Sequence, residues 1–468
     1  MARAITDTEQ IYAQGLLVRA RAAMRAVEHY DQATVDRLCQ AVAWATANEE
    51  TFGRLTRMSV DESGMGSADG VPARRFKIFG ILRDALRTRS VGVIEELPDK
   101  GIVKYAKPAG VIAGVLPVTN PLVTMVNMTI NALKCKDAVI FSPHPMSTNT
   151  ALEIARVLRA ALGRQGAPED LIQVLEQPSI PLAQELMAIS DLTIATGGAA
   201  MVKAAYSSGK PAFGVGAGNA TIIIDETANL ADAARNTRVS KVQNHGSGCS
   251  CDGNLLVEAS VYDAFLELLQ EEGGYLASDG DKRKLESVMW DAAGRRTIDT
   301  VARAASVIAE KAGIVLPAGK AFIIVPEHQI GTAHRFSGEK LSPVLAIFKY
   351  AGFDAALEMV TRIFDVGGKG HSCGIASHDD DHINRLAMMA PVSRIMVRQP
   401  NVQGNAGSFT NGMPMTASLG CGTWGGNITS ENISVKHYMN TTWVSRPIAE
   451  DKPDERDILG DFYNSEIF

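Results

Sequence analysis

Residues 110–141 read GVIAGVLPVTNPLVTMVNMTINALKCKDAVIF, and this stretch decides the fold. An apolar run at 111–116 is followed by a helical pattern at 122–133 and by a second apolar run at 138–141. Short, continuous apolar strands that alternate with helices are typical of a parallel sheet covered on both faces. Ligands of such sheets bind beyond the carboxyl ends of the strands. The stretch therefore predicts an α/β domain of the nucleotide-binding kind.

The alternation of strands and helices extends along the chain in two series. The first series predicts further strands at 172–174, 192–195 and 220–224 and helices at 150–162, 182–189 and 201–206. The second series predicts strands at 255–258, 322–325, 344–350, 373–376 and 395–397. Two amphipathic helical patterns, at 9–29 and 31–48, precede both series. We therefore expect two doubly wound α/β domains, the first covered by the N-terminal helices.

Two shorter stretches predict a small β extension. Residues 91–108 contain two apolar runs on either side of the turn signal PDKG at 98–101, a pattern typical of a hairpin. A closing apolar run follows at 433–444, and the charged stretch after it is expected to be solvated. A protruding hairpin of this kind could pair with another subunit.

Composition restricts the partners of the chain. Its 468 residues are 46% hydrophobic and 21% charged, which is ordinary for a soluble enzyme, and the net charge of −6 argues against nucleic acid or an anionic membrane. The first residues contain no apolar leader-like run, and six cysteines are too sparse for a disulfide framework. We expect a cytoplasmic protein with reduced cysteines. We expect no metal site, because the pair Cys249-x-Cys251 lacks a second ligand pair nearby.

The strongest candidate nucleophile lies in QNHGSGCSCDG, residues 243–253. Gly246 and Gly248 let the backbone approach a ligand and leave N–H groups open. A Cys249 thiolate could then attack a carbonyl carbon while these N–H groups hold the oxyanion. Two alternatives remain from the residues alone: Cys249 as a small buried side chain in a glycine turn, and a hydrolytic pair of Cys249 with His245.

A candidate phosphate site follows the predicted strand at 192–195. Thr196, Gly197 and Gly198 open the helical pattern that leads to Tyr206. Free N–H groups and the helix dipole at such a position favour a pyrophosphate, and the alternative is a plain tight turn.

Taken together, a series of ordered motifs resembles the aldehyde dehydrogenase superfamily and, within it, the CoA-acylating branch. The resemblance extends from about residue 30 to residue 445. Its most specific motifs are PVTNP (117–121), IFSPHP (140–145), ATGG (195–198), VKAAYSSG (202–209), GVGAGN (214–219), EKLSP (339–343), GH (370–371), LGCGTWGGN (419–427) and SEN (430–432).

The resemblance implies the roles of the site residues. Cys249 is expected to be the nucleophile, and the Asn120 side chain with the Cys249 N–H is expected to form the oxyanion hole. Contacts to NAD or NADP are expected from Thr119 at the nicotinamide, Ser142, Pro143 and His144 at the adenosine ribose, Thr196, Gly197 and Gly198 at the pyrophosphate, and Glu339 at the nicotinamide ribose. Residues 142–144 offer neither a carboxylate to repel a 2′-phosphate nor an arginine to demand one, so both nucleotides fit.

The absence of one catalytic residue indicates which molecule accepts the acyl group. Hydrolytic members of the superfamily carry a glutamate that activates water, and the matching position here is Val215. Without that base the acyl-enzyme is expected to wait for a thiol, which needs less activation than water. The resemblance therefore implies a short-chain aldehyde oxidised to its acyl-CoA, with coenzyme A as co-substrate. The alternatives are a hydrolytic aldehyde dehydrogenase, a catalytically silent protein of the same fold and a cofactor-independent cysteine hydrolase.

The chain departs from the branch around the substrate. Residues 250–253, SCDG, replace the usual residues after the nucleophile, and Arg398 stands where relatives usually carry asparagine. A guanidinium could hold a carboxylate or sulfonate of the aldehyde, so Arg398 is a candidate substrate residue, as is His371. An exposed arginine at a strand end is the alternative for Arg398. Acetaldehyde, sulfoacetaldehyde and succinate semialdehyde all stay open.

The resemblance also divides the chain into domains. It implies a nucleotide-binding domain at 1–89 and 109–225 and a catalytic domain at 226–432. It further implies an oligomerisation hairpin and closing strand at 90–108 and 433–446, and a charged tail at 447–468. A homodimer or homotetramer is expected.

Overall fold

The computed structural model describes residues 3–69 and 71–463. The α-helices are α1 (Asp7–Ala26), α2 (Gln32–Ala47), α3 (Glu49–Ser63), α4 (Val71–Leu86), α5 (Pro121–Lys134), α6 (Thr148–Arg164), α7 (Ile180–Ile189), α8 (Ala199–Tyr206), α9 (Leu230–Val242), α10 (Tyr262–Glu271), α11 (Asp279–Met289), α12 (Ala305–Lys311), α13 (Phe353–Val366), α14 (Asp380–Met389), α15 (Asn401–Gly404) and α16 (Glu455–Leu459). The strands are β1 (Val93–Leu97), β2 (Ile102–Pro108), β3 (Val111–Val115), β4 (Ala138–Ser142), β5 (Ile172–Val174), β6 (Leu192–Thr196), β7 (Ala212–Val215), β8 (Thr221–Ile224), β9 (Asn254–Glu258), β10 (Gly274–Leu276), β11 (Phe322–Pro326), β12 (Val344–Tyr350), β13 (Cys373–Ala376), β14 (Ile395–Val397) and β15 (Met439–Ser445).

The first sheet contains five parallel strands in the order β5-β4-β3-β6-β7. Its central strands β3 and β4 are buried at every residue, as continuous apolar runs predict. Gly114 permits their close packing, because a Cβ there would lie 2.7 Å from the Phe141 ring. Parallel strands end at one edge, so the residues that follow β3, β4 and β6 are brought together there.

The N-terminal helices cover this sheet, as their amphipathic patterns predicted. A capping box starts α1: the Thr6 hydroxyl accepts from the Glu9 amide and the Glu9 carboxylate accepts from the Thr6 amide. Asp31 caps α2 and Asn48 caps α3 in the same way through a side-chain oxygen. Helix α2 packs against α5 and α6, and α1 packs against α7 and β4.

The second sheet contains seven parallel strands in the order β10-β11-β12-β9-β8-β13-β14. Strand β8 lies between β9 and β13, so the predicted domain boundary at residue 225 falls too late. The apolar run at 220–224 correctly predicted a strand. Strand β8 pairs with β9 and β13, whose residues lie later in the chain. The local sequence pattern therefore does not show which sheet this strand joins. The strands assigned to the first sheet therefore end with β7, at Val215.

The third sheet is antiparallel, in the order β1-β2-β15, and joins the predicted hairpin to the closing strand. The closing strand is shorter than the predicted range 433–446. Ile433, Val435 and Tyr438 are buried in the core of the first domain, and the strand itself begins at Met439. From residue 440 to 445 its side chains are exposed, including Trp443.

The chain beyond residue 447 is exposed through residue 462 and contains the short helix α16, as its charged composition predicted; residues 464–468 lie outside the described part. Among the described residues, no helix is both long and apolar enough to cross a membrane.

Candidate active site

Cys249 lies on the loop between α9 and β9, and this loop has an unusual backbone. Asn244 and His245 adopt left-handed conformations with φ of 50° and 53°, and Gly246 follows with φ of 63°. A Cβ on Gly246 would lie 2.5 Å from the Ser342 carbonyl oxygen, so this position requires glycine. The Asn244 amide closes the turn by donating to Ser247 Oγ at 2.7 Å. The loop therefore holds Cys249 at a fixed place beside the second sheet.

His371 lies against the nucleophile. Its Nε2 is 3.0 Å from Cys249 Sγ, and its Nδ1 is 2.9 Å from Ser372 Oγ. The imidazole is fully buried, and its backbone carbonyl accepts a hydrogen bond from Arg394 at 3.0 Å. This geometry fits a neutral ring that accepts the thiol proton at Nε2 and donates from Nδ1.

Burial keeps both members of this pair uncharged. It lowers the pKa of His371 to about 3, with a further contribution from the Arg394 charge. It raises the pKa of Cys249 to about 12, and the Glu339 carboxylate adds to this shift. The free enzyme therefore holds a thiol that is hydrogen-bonded to imidazole, and the thiolate forms only as a proton leaves.

Two cavities meet at Cys249. The first, which we call the strand-edge cavity, has a volume of about 640 Å³ and lies at the carboxyl edge of the first sheet. It brings together Cys249 and all the cofactor and oxyanion residues that the sequence predicted: Thr119, Asn120, Ser142, Pro143, His144, Thr196, Gly197, Gly198 and Glu339. The size and position suit a nucleotide.

Glu339 is the only carboxylate among the described residues that line the strand-edge cavity. It accepts a hydrogen bond from the Gly218 amide at 3.0 Å, and burial raises its pKa to about 7. Val215 lines the same cavity, so the position of the missing glutamate indeed faces the space beside Cys249. Gly198 is the N-cap of α8 and also lines this cavity, so the helix begins at the cavity edge.

The second cavity, which we call the α4 cavity, also has a volume of about 640 Å³. It lies between α4, the start of α5, the Cys249 loop and the segment 402–419. Thr119, Asn120, Ser247, Gly248, Cys249 and Ala417 line both cavities. Cys249 thus stands where a molecule in one cavity can meet a molecule in the other.

Asn120 is well placed to serve both cavities. It precedes α5 with φ of −156° and ψ of 60°, and its side chain makes no capping hydrogen bond to the helix. Its amide is therefore not committed to α5, unlike the asparagine that caps α3. An N–H group here, beside Cys249, is what a developing oxyanion needs.

Two sequence-based expectations are corrected. Arg398 is not among the described residues that line either cavity; its guanidinium donates to the Ser377 carbonyl oxygen at 2.6 Å. Arg398 follows β14 with φ of 52° and is exposed, which agrees with the alternative of an exposed arginine at a strand end. The histidine that contacts Cys249 is His371, predicted only as a substrate residue, and not His245.

Sequence reasoning missed the α4 side of the site. Arg74 and Lys77 line the α4 cavity, together with Phe409 and Met415 from a distant loop. The only signal in the sequence is a helical pattern at residues 74–89, which puts Arg74 and Lys77 on one face but does not show what this face contacts. A possible ligand cluster of Asp225, Glu226 and His382 lies away from both cavities, and the Asp225–His382 contact of 2.9 Å already pairs two of its members.

Comparison with known proteins defines the class. A family model described as "Aldehyde dehydrogenase family" matches residues 13–413. The chain therefore belongs to the aldehyde dehydrogenase family, as its ordered motifs predicted.

Individual relatives narrow the class. The chain is 43% identical over 452 residues to "Sulfoacetaldehyde dehydrogenase" of Acholeplasma sp, covering 95% of this chain and 93% of the relative. It is 40% identical over 449 residues to "Sulfoacetaldehyde dehydrogenase (acylating)" of Bilophila wadsworthia, covering 95% and 97%. The crystal structure of an acetylating aldehyde dehydrogenase from Geobacillus thermoglucosidasius is similar with a TM-score of 0.92 and 34% identity, covering 96% of this chain and 99% of that chain. The resemblance to the acylating branch and the aldehyde dehydrogenase-like α/β fold are thereby confirmed.

Proposed function

We propose that this enzyme oxidises sulfoacetaldehyde with NAD(P)⁺ and transfers the acyl group to CoA. The chain is a CoA-acylating aldehyde dehydrogenase, and the choice of aldehyde is supported by the names of the two relatives above. The observation that carries the proposed chemistry is the position of Cys249, at the junction of a nucleotide-sized cavity and a second cavity with cationic side chains.

The first step that we propose is attack by the Cys249 thiol on the aldehyde. His371 Nε2, 3.0 Å from the sulfur, accepts the thiol proton as the C–S bond forms. The Asn120 amide and the Cys249 N–H stabilise the oxyanion of the resulting hemithioacetal. Burial disfavours a standing pair of thiolate and imidazolium, so the proton is expected to leave the sulfur only as the C–S bond forms.

Nucleotide binding in the strand-edge cavity is proposed for Thr119, residues 142–144, residues 196–198 and Glu339. A nicotinamide bound there would supply the oxidant: the hemithioacetal carbon would lose a hydride to it and become the carbonyl carbon of the Cys249 thioester. Glu339, held by the Gly218 amide, can accept hydrogen bonds from two ribose hydroxyls. The described lining near residues 142–144 contains no carboxylate or guanidinium, so the proposal includes both NAD and NADP.

The proposed acceptor of the acyl group is the CoA thiol. Val215 lines the strand-edge cavity where hydrolytic relatives would have a base for water, so the Cys249 thioester persists until a thiol attacks its carbonyl carbon. The CoA sulfur forms the new thioester and Cys249 leaves as the thiol, regaining a proton. Ping-pong kinetics are expected.

The direct test measures NAD(P)H formation from sulfoacetaldehyde, acetaldehyde and succinate semialdehyde, each with and without CoA and with each nucleotide. Sustained turnover should require CoA, and kcat/KM should be highest for sulfoacetaldehyde. Equal steady turnover without CoA would mean that water is the acceptor. A higher kcat/KM for acetaldehyde would remove sulfoacetaldehyde as the preferred substrate.

We also propose a cytoplasmic homodimer or homotetramer. Strand β15 is an edge strand with exposed Trp443 and Val444, and unpaired edges of this kind invite pairing with another chain. Light scattering after size exclusion gives the subunit number, and a monomer at micromolar concentration would contradict the proposal.

A further inference from the structure

We infer that Arg74 and Lys77 form the sulfonate-binding end of the α4 cavity and thereby select an anionic aldehyde; this inference rests on the proposed oxidation of sulfoacetaldehyde. Both residues stand on α4, three positions apart, so their side chains share one helix face. Both line the α4 cavity, whose other wall is the loop of Cys249.

The charges in the α4 cavity have one sign. Arg74 and Lys77 are its cations, and no aspartate or glutamate is among the described residues that line it. Both side chains are half-buried, and burial lowers the pKa of each cation, that of Lys77 to about 7. Removing cations from water is costly unless an anion compensates them. A permanently ionised sulfonate in the cavity supplies this compensation.

The carboxylate of Asp84 does not take that role. Asp84, two turns along α4, raises the pKa of Lys77 against the larger effect of burial. Its oxygens already accept hydrogen bonds from the Met415 amide at 2.8 Å and from Arg83 at 2.8 Å. Asp84 is also absent from the described lining of the cavity. Asp84 therefore does not occupy the place of an anion beside Lys77, and an anionic ligand that enters the cavity favours the charged form of this amine.

Both cations retain free donors. Lys77 Nζ donates to the carbonyl oxygens of Ala406 and Gly407, which leaves one of its three N–H groups. Arg74 donates once to Asn244 Oδ1 at 3.3 Å and once to the Ser67 carbonyl at 2.6 Å, which leaves three of its five N–H groups. The existing bonds fix the direction of each side chain, and the free N–H groups suit the oxygens of a sulfonate.

Asn244 connects this anion site to the nucleophile. The same side chain that accepts from Arg74 donates to Ser247, two residues before Cys249. Arg74 is thus hydrogen-bonded directly to the loop that carries the thiol. Cys249 and both cations line the same cavity, so an anionic aldehyde bound there would turn its charged end to the cations, whereas a neutral aldehyde leaves them without an anion.

The test compares kcat/KM for sulfoacetaldehyde with kcat/KM for acetaldehyde in the variants Arg74→Gln and Lys77→Met. Loss of a charge-assisted hydrogen bond should lower the ratio of the two values about tenfold or more in each variant, mainly through KM for sulfoacetaldehyde. Lys77→Arg should keep most of the preference. Arg87→Gln, an exposed arginine just beyond the end of α4, is the matched control and should leave the ratio unchanged.

Inhibition by methanesulfonate provides a second measurement, and its wild-type part needs no variant. Methanesulfonate should inhibit the wild-type enzyme competitively against sulfoacetaldehyde, and at least tenfold more weakly in Arg74→Gln. An unchanged substrate ratio in both charge-removing variants, or equal inhibition of wild type and Arg74→Gln, would overturn the anion site. If the wild type itself prefers acetaldehyde, the proposed substrate fails and not only its binding residues.

Discussion

Gly218→Ala tests how strictly the nucleophile loop is positioned. A Cβ built on Gly218 would lie 1.8 Å from the Cys249 carbonyl oxygen and 3.2 Å from the Cys249 Cα. Real Cβ atoms essentially never approach closer than 3.0 Å, so the loop must move by more than about 1 Å. A nucleophile misplaced by about 1 Å costs on the order of 10²-fold in rate. We therefore expect kcat to fall about 10²-fold, with the Gly218–Glu339 hydrogen bond also disturbed.

The assay is NAD(P)H formation with saturating CoA, read beside the melting temperature and the affinity for nucleotide. The matched control is Gly367→Ala: a Cβ on Gly367 meets nothing within 4 Å, and its φ of 168° suits any residue. Gly367→Ala should keep nearly wild-type kcat. A Gly218→Ala enzyme with wild-type kcat would refute the claim that this contact positions Cys249.

Three further outcomes follow from the site. Asn120→Ala should lower kcat about 10²–10³-fold if its amide is an oxyanion donor, and an unchanged kcat would remove it from the mechanism. His371→Gln keeps a polar group near the sulfur but accepts a proton far less readily, so kcat should fall about 10²-fold or more, and a pre-steady-state burst of NAD(P)H should slow equally. The pKa of Cys249, raised to about 12 by burial, lies above the assay range, so alkylation of Cys249 by iodoacetamide should speed up about tenfold per pH unit from about pH 7 to about pH 9. Peptide mass spectrometry measures this rate, and a plateau below about pH 8 would contradict a neutral thiol beside Glu339, His371 and Arg394.

Most strands of the fold could be predicted from the local sequence pattern. Every predicted strand from 111–116 to 395–397 is present, because buried parallel strands need continuous apolar runs. Strands β7 and β10 were missed, since each is short and contains a glycine. The sheet to which β8 belongs was assigned wrongly, because strand pairing depends on residues far away in sequence.

The candidate site was likewise predicted only in part from the sequence. Cys249, Asn120 and the cofactor residues could be predicted because they belong to motifs that occur in a characteristic order along the chain. In the structure these residues line one cavity. The contact between His371 and Cys249 spans 122 residues, and no local pattern contains it. Arg398 was chosen for its charge, but the residue is exposed and its guanidinium is hydrogen-bonded to the Ser377 carbonyl oxygen. Lys77 was not predicted because a helical pattern does not show which part of the protein the helix contacts.

The thioester at Cys249 is the central claim, and intact-protein mass spectrometry tests it most directly. The enzyme is incubated with sulfoacetaldehyde and oxidised nucleotide, first without CoA and then with CoA added. We predict a mass increase of one sulfoacetyl group that maps to Cys249, persists without CoA, disappears on CoA addition and is absent from Cys249→Ala. An adduct that water removes within the time of one turnover, or an adduct on another residue, would contradict the account.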